Sequence, residues 1–101
     1  MSQTLDPVKV PQQQKSPPPP SFNIVMHNDD DTTFDLVLYI LTTVFGRTPE
    51  QAAQIALEAH QKDKAIVTTY PSSDMAHTKV SQAHAIARKA ETPLLFTAEP
   101  A

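Results

Sequence analysis

Four consecutive residues, Asn28-Asp29-Asp30-Asp31, set one amide and three carboxylates between a β-type stretch and the start of a helical pattern. Carboxylates near a helix N-terminus are favoured by capping and by the helix dipole, but one or two satisfy that need. The others must face solvent or a cation, and an ammonium, a guanidinium or a metal ion would each suit them. His60 is the second group of interest. It follows Ala56 by four residues and Ala59 by one, so the three share a patch of one helix. A histidine so placed is either half-buried and hydrogen-bonded or supplies a ring nitrogen to a site. His27, His77 and His84 are weaker candidates, because His77 and His84 lie two turns apart, beyond the i, i+4 spacing of a metal-binding pair. Nucleophile elbows and zinc-helix motifs are missing, and a single glycine cannot build a phosphate loop. A metal hydrolase would have to join His60 to Asp29–Asp31, which no spacing rule links. No metal, cofactor or catalytic residue is therefore expected, and the chain reads as a binding protein rather than an enzyme.

The elements that must position these groups are legible in the pattern. Phe22–His27 (FNIVMH) has strand composition. From Phe34 to Phe45, apolar residues at 34, 37, 38, 41, 44 and 45 have helical period, with Asp31, Thr32 or Thr33 as cap and Gly46 as stop. Thr48-Pro49-Glu50-Gln51 is a helix start, with a capping box from Thr48 to Gln51 and proline in the first turn, and that helix should run to Lys62. Lys64–Tyr70 (KAIVTTY) reads as a second strand. Ser72 or Ser73 then caps a third helix with residues 76, 80, 83, 87 and 90 inward, which Thr92-Pro93 should end. Leu94–Ala98 reads as a last strand. The order β-α-α-β-α-β predicts an α+β two-layer sandwich, a three-stranded sheet with three helices on one face.

Composition sets the limits. The chain has 101 residues and a formal net charge of −3. Residues 1–21 hold six of the ten prolines, three consecutive glutamines and three aliphatics, too little apolar surface to offset ordering, so they are expected to form a disordered tail stiffened as polyproline II at Pro17–Pro20. Residues 22–101 are left for the domain. The negative charge and scattered Lys and Arg argue against nucleic acid or an anionic membrane as partner. No window is long and apolar enough to span a bilayer. The absence of cysteine excludes thiol catalysis, disulfides and thiolate metal sites. Neither a secretory signal nor a transit-peptide bias is visible at the N-terminus, so a cytoplasmic location is expected, a bacterial cytosol ahead of a plastid stroma.

Taken together, FNIVMHNDDDTTFDLVLYILTTVF, TPEQAAQIALEAHQKDKAIV, DMAHTK and TPLLFTAEP resemble the ClpS family of N-end-rule adaptors from about Ser21 to Pro100. The most specific parts are the N-D-D-x-T turn after a strand, the A-x-x-A-H helix and the K-A-I strand behind it. The resemblance implies a small α/β sandwich, behind a flexible tail, that binds a substrate's first residue when it is Leu, Phe, Tyr or Trp. It implies that Asn28, Asp30 and His60 contact the α-amino group, with Asp29 adding negative field and Thr32 shaping the turn. It implies an apolar pocket of Met26, Phe34, Val37, Ala56, Ala59 and Leu94 for the side chain. Asp74 and Lys79 match positions that dock on the N-terminal domain of a ClpA- or ClpC-type AAA+ chaperone, and the tail would be engaged during delivery of N-degron substrates. A monomer is expected. Two departures fall in the pocket. The family's usual turn reads V-N-D-D-x-T-P-M, whereas Phe34 here replaces the methionine and follows Thr33 rather than proline. A second methionine, on the middle helix, is Ala56. A Phe34 ring swung inward would refill that space and favour Leu over aromatic first residues. A ring that blocks the pocket would instead suit a modulator or inhibitor of a Hsp100 chaperone that does not read N-termini. Asp63 stands where glycine usually follows the middle helix.

Overall fold

In the computed structural model, which describes residues 20–101, the first strand β1 spans Phe22–His27 and two helices follow it, α1 at Phe34–Thr43 and α2 at Pro49–Lys62. Strand β2 (Lys64–Tyr70), helix α3 (Ser73–Lys89) and strand β3 (Leu95–Pro100) complete the order that the hydrophobic periods predict. The expected tail lies outside the described residues, apart from Pro20 and Ser21. Strand β1 is central, antiparallel to both neighbours, in the order β2-β1-β3.

Alternation along the strands assigns one face to the core. Ile24 and Met26 of β1, Ala65 and Val67 of β2 and Phe96 of β3 join one buried cluster with side chains from all three helices. A bulge between Ile24 and Val25 adds a residue on the β2 side, so that Tyr70 as well as Val67 packs against the core. The helices meet the sheet largely through buried alanines, Ala52 and Ala59 on α2 and Ala76, Ala83 and Ala87 on α3, which allow close approach. Phe45 packs on Phe96 with ring centroids 5.1 Å apart and ties the end of α1 to β3.

The helix ends account for most differences from expectation. Thr33 is the α1 cap, its hydroxyl accepting from the Leu36 N–H at 3.2 Å. Helix α1 stops at Thr43 rather than Phe45, because the chain turns at Gly46 (φ 67°) and the Arg47 N–H reaches back to the Leu41 carbonyl at 3.0 Å. Val44 and Phe45 stay buried beyond it. The Thr48–Gln51 capping box closes reciprocally at 3.0 and 3.1 Å, and Ser72 caps α3. Helix α3 ends at Lys89, before Thr92-Pro93 can act. Glu91 takes a left-handed conformation (φ 60°), and the N–H groups of Glu91 and Thr92 bond the Arg88 and Ala87 carbonyls. Ala90 is therefore an exposed cap and not an inward residue. Strand β3 runs from Leu95 to Pro100 because its pairing with β1 extends to Phe22 opposite Pro100, leaving Leu94 buried just before it.

Candidate functional site

The acidic turn begins where β1 stops pairing. His27 is opposite Lys64, so the next residue out, Asn28, lies beside the residue that precedes β2, and its N–H donates to the Asp63 carbonyl at 2.7 Å. Asp63 closes α2 in a left-handed conformation (φ 75°), a cost that aspartate bears better than a branched residue. That bond brings the turn against the last turn of α2, where His60 stands. Inside the turn the Asp29 carboxylate accepts from the Thr32 hydroxyl and, at 3.3 Å, from the Asp31 N–H. Asp29 and Thr32 therefore hold the turn's shape. Asn28, Asp30 and His60 are exposed, and none of their side chains bonds another described residue.

Behind these three groups a cavity of about 350 Å³ opens between α1 and α2. Its polar lip is Asn28, Asp29, Asp30, Thr32 and His60; its apolar wall is Met26, Phe34, Val37, Ala56 and Leu94. Met26, Val37 and Leu94 are buried and form the inner wall. The volume lies at the small end of ligand pockets. Two residues do not stand as expected. Ala59 is 1% exposed and does not line the cavity; it precedes His60 by one residue and is packed in the core. Phe34 does not swing inward, because as the first residue of α1 it projects at the mouth, 54% exposed, and the cavity stays open.

The sequence reading missed Leu57 as a lining residue and named His27, which also borders the cavity, only as a weaker candidate. His27 follows Met26 in the strand, and alternation turns its imidazole to the helix-free face of the sheet, where Nε2 lies 2.9 Å from Thr97 Oγ1. The Thr97 hydroxyl gives its one proton to Glu99 at 3.0 Å, so His27 Nε2 must carry the hydrogen. Leu57 lies three residues before His60, a spacing that shares a helix face and could have found it.

The other candidates fall elsewhere. Asp74 and Lys79 are on α3 and do not line the cavity. His77 bonds within its own helix, with Nδ1 2.9 Å from the Ser73 carbonyl. His84 accepts the Phe96 N–H at Nε2 (3.0 Å), and burial, together with the Arg88 charge, holds its pKa below the usual histidine range. Among the described residues no three His, Asp or Glu side chains converge as a bound metal would require, and no helix is long and apolar enough to cross a membrane.

Fold and cleft together define a small α+β binding domain with a cation-attracting lip over a small apolar cavity. The sequence pattern described as ATP-dependent Clp protease adaptor protein ClpS matches residues 17–97, and the chain belongs to that family. It is 41% identical over 63 residues to an ATP-dependent Clp protease adapter protein ClpS of Syntrophus aciditrophicus, covering 62% of this chain and 58% of that protein. With the adapter protein of Acetivibrio thermocellus it shares 39% over 69 residues, 68% of this chain and 69% of the relative. The aligned segment thus spans little more than half of the first relative's length. The structure of Agrobacterium tumefaciens ClpS2 bound to L-phenylalaninamide superposes with a TM-score of 0.77 at 30% identity, over 82% of this chain and 99% of that one.

Proposed function

We propose that this protein is an N-recognin. It binds the free first residue of a substrate protein when that residue is Leu, Phe, Tyr or Trp, and delivers the substrate to a ClpA- or ClpC-type AAA+ chaperone–protease in the bacterial cytosol. One observation carries the reading: an amide, a carboxylate and an imidazole, none bonded to another described side chain, stand together at the lip of an apolar cavity. An α-ammonium has three donors and needs three such acceptors. Phenylalaninamide, the ligand of the Agrobacterium structure, has the same two parts, a free α-amine and an apolar side chain.

Both halves are needed. Burying a Leu or Phe side chain is worth about 1.5–3 kcal/mol, and each charged hydrogen bond about 1.5–3 kcal/mol. Association costs consume much of the sum, which leaves affinity on the order of micromolar, weak enough to release a substrate on handover. An internal Leu or Phe has no ammonium and is ignored. Leu is favoured among first residues. The half-exposed Phe34 ring gains by folding over an entering side chain, and it can close fully only over a slim one. Docking uses Asp74 and Lys79 on α3, which leaves the cavity free, and the protein acts as a monomer without catalysing hydrolysis itself.

The test is a titration with a Leu-initiated peptide and its acetylated twin. Acetylation removes the charge and two donors, so binding should fall at least a hundredfold. Equal binding of the two would dismiss an N-terminus reader. Binding of neither, alongside firm binding to the chaperone's N-terminal domain, would favour the modulator reading.

A further inference from the structure

Two large apolar side chains stand half-exposed at the same cavity edge, Phe34 from α1 and Leu57 from α2, at 54% and 50% exposure. Phe34 heads its helix beside the turn, but Leu57 has no such local reason. The buried stripe of α2 is Ala52, Ile55 and Ala59, and at 100° per residue Leu57 points almost directly away from it. A leucine on the outward side of the helix, with Gln54, Glu58 and Gln61 around it, is left half-exposed by the described residues, yet it lines the cavity next to His60.

We infer that Leu57 is the floor of a second subsite, which packs an apolar side chain at position two of the substrate. The inference rests on the N-terminus reading and extends it. With the amine held by Asn28, Asp30 and His60 and the first side chain inside, the peptide must leave across the mouth. Its second residue then lies one extended residue, roughly 3.4 Å, from the first. The mouth is acidic on the turn side and apolar at Leu57. An apolar second residue buries the remaining exposed surface of Leu57; an alanine reaches little of it. Covering about half of one leucine corresponds to an affinity gain of about fivefold. The site therefore reads a dipeptide, strongly at its first residue and weakly at its second.

The experiment measures affinities of Leu-Leu-, Leu-Phe- and Leu-Ala-initiated peptides, otherwise identical, for the wild-type full chain and for Leu57→Ala. The readout is the ratio between peptides within each protein, which is insensitive to any change in the first pocket. The wild type should prefer Leu or Phe at position two by about fivefold, and Leu57→Ala should bring that ratio to about one. A wild-type ratio of one overturns the second subsite while leaving the N-terminus reading intact, as does a ratio that survives Leu57→Ala. Failure of all three peptides to bind the wild type overturns both. Leu57→Gln, which keeps helix propensity and side-chain length, should lower the ratio as Ala does; if it does not, length rather than apolar contact is being read.

Discussion

Removing the Asp30 carboxylate should weaken binding of a Leu-initiated peptide by at least tenfold. Asp30 is exposed, makes no hydrogen bond to another described residue and lines the cavity lip, whereas the neighbouring Asp29 carboxylate is already occupied by Thr32 and the Asp31 N–H. One charged hydrogen bond is worth about 1.5–3 kcal/mol, which converts to roughly ten- to hundredfold, and exposure places Asp30 near the lower end. Folding should be nearly untouched, since surface substitutions without partners stay within about 0.5 kcal/mol. Asp31→Ala supplies a charge-matched control. Asp31 is exposed, but its side chain does not line the cavity, so its loss alters only a field that 0.15 M salt screens over about 8 Å. Fluorescence anisotropy with a labelled Leu-peptide would then give Asp30→Ala a loss of tenfold or more and Asp31→Ala less than threefold. His60→Ala should resemble Asp30→Ala. If folded Asp30→Ala and His60→Ala both bind like wild type, the clamp is wrong; if Asp31→Ala loses as much as Asp30→Ala, diffuse charge and not contact holds the amine.

Removing residues 1–20 should preserve peptide affinity and chaperone association but stop degradation of an N-degron substrate, and undiminished degradation would make that segment a passive end. Lys79→Glu should weaken association with the chaperone's N-terminal domain without altering peptide affinity, as pull-down and anisotropy on one preparation would show. His84 is neutral in the fold, with a pKa below its unfolded value of about 6.5, so it contributes stability that is present above that pH and lost as pH falls through the lower folded value. Denaturant midpoints from pH 7.5 to 5 should therefore decline less steeply for His84→Gln, whose side-chain oxygen can still accept the Phe96 N–H; an unchanged slope would clear His84 of the effect. Phe34→Met should broaden first-residue preference toward Phe and Trp with little change for Leu, and wild-type affinities ranking Trp or Phe above Leu would show that the ring does not fold over a bound side chain and that Ala56 deepens the pocket.

The strands and helix starts were legible because each rests on local chemistry: the capping box at Thr48, the serine cap at Ser72, the β-branched run of Lys64–Tyr70. The helix ends were less so. Residues 44, 45 and 90 keep the helical hydrophobic period, but the chain leaves the helix through Gly46 and Glu91, and only glycine advertises a left-handed stop. The family resemblance implies Ala59 in the pocket, while the structure turns it into the core and turns Leu57 outward to the lip. One residue's position around a helix depends on where its partner helix lies, which no local pattern records. The posture of Phe34 is hidden for a similar reason, since a ring at a helix start can face in or out at small cost.

The parts of the proposed clamp come from residues far apart in sequence, and strand pairing is what aligns them. Asn28 and Asp63 are the first unpaired residues beyond the His27–Lys64 rung, so the β1–β2 register decides which turn residue meets the end of α2. A slip of one residue would place Asp29 or His27 there and turn every core side chain of β1 to solvent, so the burial of Ile24 and Met26 guards the register. The bulge that lets Tyr70 face inward lies at Ile24/Val25, beyond the rungs nearest the clamp, and leaves Met26–Ala65 and His27–Lys64 regular. The bulge is thus uncoupled from the aim of the turn. Phe34, Ala56 and Leu57, which line the cavity from helices, can then change its shape without disturbing Asn28, Asp30 and His60 at the lip.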